Sequence, residues 1–322
     1  MCDNSNNNKM ARDVETTNRT LAVGGAAPRD LDQFFTNARV VRRCLQFLDG
    51  VVPLREFARV LEPAAGDGAF VRGLLKAGVP RSRIEYADVD ALDPRHRADF
   101  LADPAPEPLQ PGDPPLLVVG NPPFGTMGRS AVQFFNRAAA MGAAAIAFIV
   151  PASFGKDSVQ ARLDRRYHLF GEMALDPDSF TLGGQPYCAN CIFQVWAPTA
   201  DGGVREVRAA RSSTADFELV RRDASPPPHF AVRRVGALAG TIFEQDVAGR
   251  SASSHLFVRV RRERSRARVL RRMRRLNLLQ CEERRRTVAN PSICGSELVR
   301  LYEALGPVPA PAPARPSAGE QS

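Results

Sequence analysis

Lysine is almost missing from this chain of 322 residues. Only Lys9, Lys76 and Lys156 are lysines, so the 44 basic side chains are nearly all arginine. Long apolar runs are missing too. The longest, around residues 143–149, falls well short of a membrane span and reads as a core strand, so no membrane partner is expected. The N-terminal stretch is polar and rich in asparagine, with no apolar signal segment. Secretion is therefore not expected, and the chain reads as intracellular and cytoplasmic, or nuclear in a eukaryote. The six cysteines have no regular spacing, which argues against a disulfide framework. Cys188-Ala189-Asn190-Cys191 is the only Cys-x-x-Cys, and Cys281 and Cys294 lie too irregularly to complete a zinc site. No metal is expected, and there are no internal repeats.

What is present suits one full α/β core with a small appendage, given 44% hydrophobic content over this length. Residues 1–28 read as disordered because they are polar and aperiodic. Residues 29–199 read as the main domain. Within it, Val40, Val41, Cys44, Leu45 and Leu48 fall on one face of a helix expected over 37–48. Val132, Phe135 and Ala139 face inward on a helix before a strand at 144–150. The segment Phe180-Thr181-Leu182-Gly183-Gly184-Gln185-Pro186-Tyr187 turns into an apolar strand at 191–196, predicting a terminal antiparallel hairpin. A Gly/Ser/Arg-rich stretch over 200–213 opens a second region, 200–305, with short strands and an Arg-rich helix. The Pro/Ala tail, 306–322, cannot pack.

Leu116-Leu117-Val118-Val119-Gly120 reads as a buried parallel strand, and it runs straight into Asn121-Pro122-Pro123-Phe124. Each residue before a proline is pushed into extended backbone, so the segment cannot coil into a helix. The Pro122 carbonyl is not committed to a helix ladder. That carbonyl and the Asn121 amide oxygen can accept hydrogen bonds from one planar –NH2 group, and Phe124 offers a ring on which its heterocycle could stack. The plainer alternative is a Pro-Pro turn that closes a strand.

Upstream, Glu62-Pro63-Ala64-Ala65-Gly66-Asp67-Gly68 follows an apolar strand end and precedes a helical pattern. Strand, glycine loop and helix in that order bring backbone close to a nucleotide-like ligand. The spacing is not that of a dinucleotide fingerprint, and no Gly-Lys-Ser/Thr follows, which excludes a Walker loop. Acids around the loop disfavour a pyrophosphate and suit an ammonium group. Asp88 closes a second strand about 20 residues on, where a doubly wound fold places the acid that binds ribose hydroxyls. Arg97-Ala98-Asp99-Phe100-Leu101 reads as a third strand end, with Asp99 for an exocyclic amine and Phe100 as an apolar wall. Singly, each acid reads as a solvated loop carboxylate; their order along alternating strands is the signal.

In that order the stations resemble the class I S-adenosylmethionine-dependent amino-methyltransferases of the N6-adenine type, over about residues 31–197. Phe148 to Phe154 and Phe193 to Trp196 resemble the small bacterial-type members in particular. A weaker likeness continues through Phe230-Ala231-Val232-Arg233-Arg234-Val235-Gly236 and Ser254-His255. The resemblance implies a Rossmann-like, doubly wound, mostly parallel sheet and S-adenosyl-L-methionine as cofactor. It places Phe35 and Thr36, in Asp32-Gln33-Phe34-Phe35-Thr36, beside the methionine end. The loop Glu62, Pro63, Ala64, Gly66, Asp67 and Gly68 lies around its amino end. Asp88 holds the ribose, Asp99 and Phe100 the adenine, and Asn121, Pro122, Pro123 and Phe124 form the catalytic site. His168, His255 and the other histidines read as structural or substrate contacts, since this chemistry needs no titrating imidazole.

The net charge of +9 is concentrated in the C-terminal third, above all in Arg259-Val260-Arg261-Arg262-Glu263-Arg264-Ser265-Arg266-Ala267-Arg268 and on to Arg275. Such blocks are either solvated or neutralised by a polyanion, and arginine suits phosphate forks. Segment 259–275 is therefore the expected nucleic-acid contact, RNA or DNA. Two other readings stay open: a protein glutamine-amide N-methyltransferase, and a non-catalytic module that binds the cofactor.

Overall fold

The computed structural model describes residues 35–91, 94–102, 108–110, 112–176, 178–182, 185–187, 189–287 and 290–306. The expected disordered N-terminus, Asp32, Gln33, Phe34, the Gly183-Gly184 pair, Cys188 and the tail after Gly306 lie outside the described residues. Contacts divide the chain into two compact units. One takes residues up to 209 together with 286–289, and the other takes 210–285 together with the residues from 290 onward.

The first unit opens with strand β1 (Phe35–Thr36) and helix α1 (Ala38–Val51). The expected apolar stripe of α1 is buried from Val40 to Leu48. Then come β2 (Arg59–Glu62), α2 (Ala69–Lys76), β3 (Ile84–Tyr86), β4 (Leu116–Gly120), α3 (Arg129–Ala140) and β5 (Ala145–Pro151). A short α4 (Asp157–Gln160) leads to β6 (Tyr167–Ala174), β7 (Phe180–Leu182), β8 (Gln185–Tyr187) and β9 (Cys191–Pro198). The main sheet has six strands in the order β3-β2-β4-β5-β9-β6. Four pair in parallel, and β9 runs antiparallel to both of its neighbours, so β6 points the same way as the four. This is the Rossmann-like, mostly parallel sheet. Every residue of β4 and β5 is buried, as central parallel strands covered on both faces require. Phe193 meets Phe47 of α1, whereas Trp196 meets Phe135 of α3. Their odd spacing on β9 puts those two helices on opposite faces.

Two sequence expectations are corrected here. The terminal hairpin is made by β6 and β9, not by the 180–187 segment. β7 and β8 instead form a separate three-stranded sheet with β1. Alternation in 167–174 is weak because the strand is an exposed edge with an irregular register between Leu169 and Gly171. Segment 97–101 forms no third strand. It makes one parallel bridge, Asp88 to Arg97, and then turns. Asp99 Oδ1 accepts the Leu101 amide at 2.9 Å, and a side chain that bonds its own backbone two residues on competes with a sheet ladder.

Residues 200–209 stay with the first unit because Arg205 is anchored there. Its guanidinium lies 5.4 Å over the Trp196 ring and donates to the carbonyls of Tyr167 and Gln160.

The second unit is a four-stranded antiparallel sheet, β10 (Phe217–Val220), β11 (Phe230–Arg233), β12 (Ile242–Phe243) and β13 (His255–Val260), in the order β10-β13-β11-β12. Helix α5 (Arg266–Arg275), the single turn α6 (Glu282–Arg285) and α7 (Gly295–Ala304) complete it. Its core joins Phe217, Phe230 and Val258 of the sheet to Val269, Met273, Leu298 and Tyr302 of the helices.

Candidate functional site

The sheet reverses its winding between β2 and β4: the chain goes outward from β2 to β3, then crosses to the other side. A reversal of this kind leaves a crevice beyond the strand ends, where α/β folds bind ligands. Both motifs stand at that point. Glu62 to Gly68 leaves β2, and Asn121 to Phe124 leaves the adjacent β4. A Cβ on Gly120 would lie 3.4 Å from Glu62 Cγ, so the two strand ends are in contact.

In the glycine loop, Gly66 and Gly68 have φ of 52° and 78°, the left-handed conformation that glycine adopts without strain. The two acids of the loop serve helix α2. Asp67 Oδ1 accepts the Ala69 amide at 3.2 Å, and Glu62 Oε2 accepts the Val71 amide at 3.0 Å. The first amides of a helix have no partner within it, and these carboxyl oxygens supply two. Asp67 is also paired with Arg72 at 2.9 Å. Glu62 is 2% exposed, and burial, ahead of the nearby Asp67 and Asp88 charges, holds its carboxyl well above the usual range. The acids expected to suit an ammonium group are thus already engaged, both at the start of α2 and Asp67 also in an ion pair.

Asp88 ties the second strand to the loop. Its Oδ2 accepts the Gly66 amide at 2.8 Å and its Oδ1 accepts the Asp90 amide at 2.9 Å. A carboxylate oxygen has room for a second donor, so this group can still receive two hydroxyls. Asp99 is exposed, beside Phe100. Phe100 is only 8% exposed; its ring packs 5.1 Å from Phe134, with the Arg137 guanidinium 5.4 Å over it. It belongs to the core rather than forming an open wall.

Thr36 and Asn121, 85 residues apart, are brought together: Asn121 Nδ2 donates to Thr36 Oγ1 at 3.1 Å. Strand β1 is held there by pairing with β7, and the Asn37 amide and side chain donate to the carbonyls of Ser179 and Asp178. Nothing in the sequence flagged Asp178 and Ser179 as positioning residues, because their partner lies some 140 positions away. After Asn121, no donor among the described residues reaches the Pro122 carbonyl, whereas the Phe124 carbonyl accepts the Ser130 and Ala131 amides. Phe124 itself is 5% exposed, packed in the core of the unit, and presents no open ring face. The loop closes through Gly125, at φ 66°, where a Cβ would lie 2.2 Å from Ser130 Oγ. Phe154 is fully buried, 3.6 Å from the Cβ position of Gly128, and so packs under that loop.

No protein-family model matches the chain, and no curated protein does. Solved structures give distant likenesses. A candidate RNA methyltransferase of Pyrococcus horikoshii is 12% identical at a TM-score of 0.39, covering 58% of this chain and 98% of its own. A candidate class I S-adenosylmethionine-dependent methyltransferase of Listeria monocytogenes is 14% identical at a TM-score of 0.39, covering 65% and 72%. A chain from the Mtq2–Trm112 complex of E. cuniculi, a complex responsible for methylation of the eRF1 translation termination factor, is 17% identical at a TM-score of 0.30, covering 52% of this chain and 99% of its own. Strand order and strand direction, rather than these likenesses, define the first unit as Rossmann-like.

Proposed function

We propose that this chain is an S-adenosylmethionine-dependent N-methyltransferase acting on an exocyclic amine, with N6 of adenine in RNA or DNA as its target. One observation carries the reading. Asn121 stands at the switch point of the sheet with its amide oriented by Thr36, next to the Pro122 carbonyl that no described donor reaches. The Asn121 amide oxygen and that carbonyl can accept both N–H bonds of a planar –NH2. Such an amine is a poor nucleophile because its lone pair is delocalised. Two acceptors in the right places favour a pyramidal nitrogen and expose that pair, so alignment is the main contribution and no strong base is needed.

Residues around the crevice fit the cofactor. Asp88 has acceptor capacity for ribose hydroxyls, the left-handed glycines let backbone approach closely, and Asp99 is exposed for an adenine amine. Phe35, Thr36, Pro63 and Ala64 are assigned to the methionine end. When bound, S-adenosylmethionine supplies an electrophilic methyl group. Glu62 and Asp67 act through the capped end of α2. Phe124 supports the pocket from within the core, and a duplex base would have to be flipped to reach it.

The exposed arginines of the second unit favour a polyanionic substrate, which supports nucleic acid over protein. A glutamine side-chain amide presents the same planar –NH2 and is the second reading. Radiolabelled cofactor offered to RNA, DNA and protein fractions separates the two. Asn121→Ala should abolish transfer while calorimetry finds cofactor affinity within a few-fold of wild type. Appreciable turnover in that variant would reduce the motif to a turn. Absence of any cofactor binding by the wild-type chain would favour a non-catalytic role.

A further inference from the structure

The first unit has a cleft of about 800 Å3 between α1, α2 and the turns at 54–55 and 79–83. Its floor is apolar, with Leu45, Leu54 and Val79 all buried. Its walls are cationic. Arg39 and Arg42 face the cleft from α1, Arg72 and Lys76 from α2, and Arg55 and Arg83 from the turns. Gly73 explains how two basic helices come so close: a Cβ there would lie 2.5 Å from Val41 Cγ1. Arg39 and Arg72 are neutralised, by Asp176 with Asp178 and by Asp67. Arg42, Arg55, Lys76 and Arg83 have no acidic partner among the described residues. Among the described residues Asp49 is the one carboxylate lining the cleft, and its Oδ1 already accepts the Leu54 amide at 2.7 Å.

We propose that this cleft binds a single strand of nucleic acid, with phosphates on the arginine walls and sugar or base edges on the apolar floor. Cations on both walls of a concave cleft bracket one strand, whereas a duplex would touch only the rim. Desolvated forks opposite phosphates suit arginine, and an apolar floor offers an acidic protein segment nothing it needs. Arg72 lies at the glycine-loop end of α2, so the cleft begins beside the candidate site and leads away from it. The choice of nucleic acid as occupant rests on the proposed substrate class; the existence of a cationic cleft does not.

The test is binding of a fluorescein-labelled oligouridine across a salt series, by anisotropy, to the full chain and to the variant Arg42→Ala/Arg55→Ala/Lys76→Ala/Arg83→Ala. The variant should bind at least about tenfold more weakly, and its slope of log K against log salt should be flatter by about two to three units. Cofactor affinity by calorimetry should not change. As a second measurement on the unaltered chain, bound oligouridine should shield Lys76 from acylation, read by mass spectrometry. Lys156 is buried and serves as the internal unreactive reference. Equal affinity and slope in a folded variant, unshielded Lys76, or equal competition by polyglutamate would overturn the proposal. A chain that binds oligouridine through the cleft but no S-adenosylmethionine would overturn the methyl-transfer reading and leave the cleft standing.

Discussion

At the scale of single residues, the carboxyl groups around the glycine loop differ in what they hold. Asp88 accepts two amides of its own chain and keeps lone pairs for a ligand. Asp88→Ala should therefore weaken S-adenosylmethionine binding by about 1.5–3 kcal/mol, the size of a charge-assisted hydrogen bond, as measured by calorimetry. Unchanged affinity in the folded variant would mean the ribose is held elsewhere. Glu62 behaves differently because it is buried. Its folded-state pKa is raised, so the stability it contributes is full below its unfolded pKa and is lost as pH rises through the raised value. Glu62→Gln keeps the shape and cannot ionise. Denaturant unfolding across a pH series should find the variant gaining on the wild type as pH rises. A difference that stays flat with pH would show that Glu62 does not titrate in this environment.

At the scale of elements, the packing of α1 on α2 depends on one glycine. Gly73→Ala would gain about 1 kcal/mol of helix propensity. It would also drive a methyl group to 2.5 Å from Val41 Cγ1 and 3.1 Å from Leu45 Cδ1. Val41 is β-branched and has one preferred rotamer in a helix, so it yields poorly. Overpacking should win, with a net loss of about 1–2 kcal/mol in urea unfolding. A stabilised variant would contradict the close approach of the helices. The same close approach of α1 and α2 shapes the cationic cleft.

At the scale of the whole molecule, the basic block divides into arginines that build the second unit and arginines that face outward. Arg259 pairs with Glu218, and Arg274 with Glu244. Arg268, Arg272 and the Tyr302 hydroxyl all converge on Asp216. Nor is the block one helix: Arg259 lies in β13, and α5 begins only at Arg266. Arg262, Arg264, Arg271 and Arg275 are exposed and have no acidic partner among the described residues. Changing these four to glutamine should flatten the salt dependence of nucleic-acid binding by close to one unit for each phosphate no longer neutralised, without unfolding the chain. Equal slopes would make them a solvated face. Asp216→Ala should instead destabilise the second unit by about 3 kcal/mol in thermal or denaturant unfolding, because Arg272 would be left half-buried without its counter-charge.

The sequence by itself determined the periodic and local features. Buried stripes in α1, the all-apolar β4 and β5, the glycine loop and the Asn-Pro-Pro-Phe corner are written in adjacent residues, and short-range sterics enforce them. The order of these stations, with the family it resembles, implied a doubly wound sheet. What the tertiary structure decided was which polar groups are already engaged. Whether Glu62 meets a ligand or caps α2, whether Phe100 and Phe124 are walls or core, and which arginines are neutralised all depend on partners brought near by folding. So does the meeting of Thr36 with Asn121, and so does the cleft between α1 and α2. Periodicity reports the face on which a side chain lies, but pairing across tens of residues leaves no local trace, because any suitably placed carboxylate or hydroxyl could have been the partner.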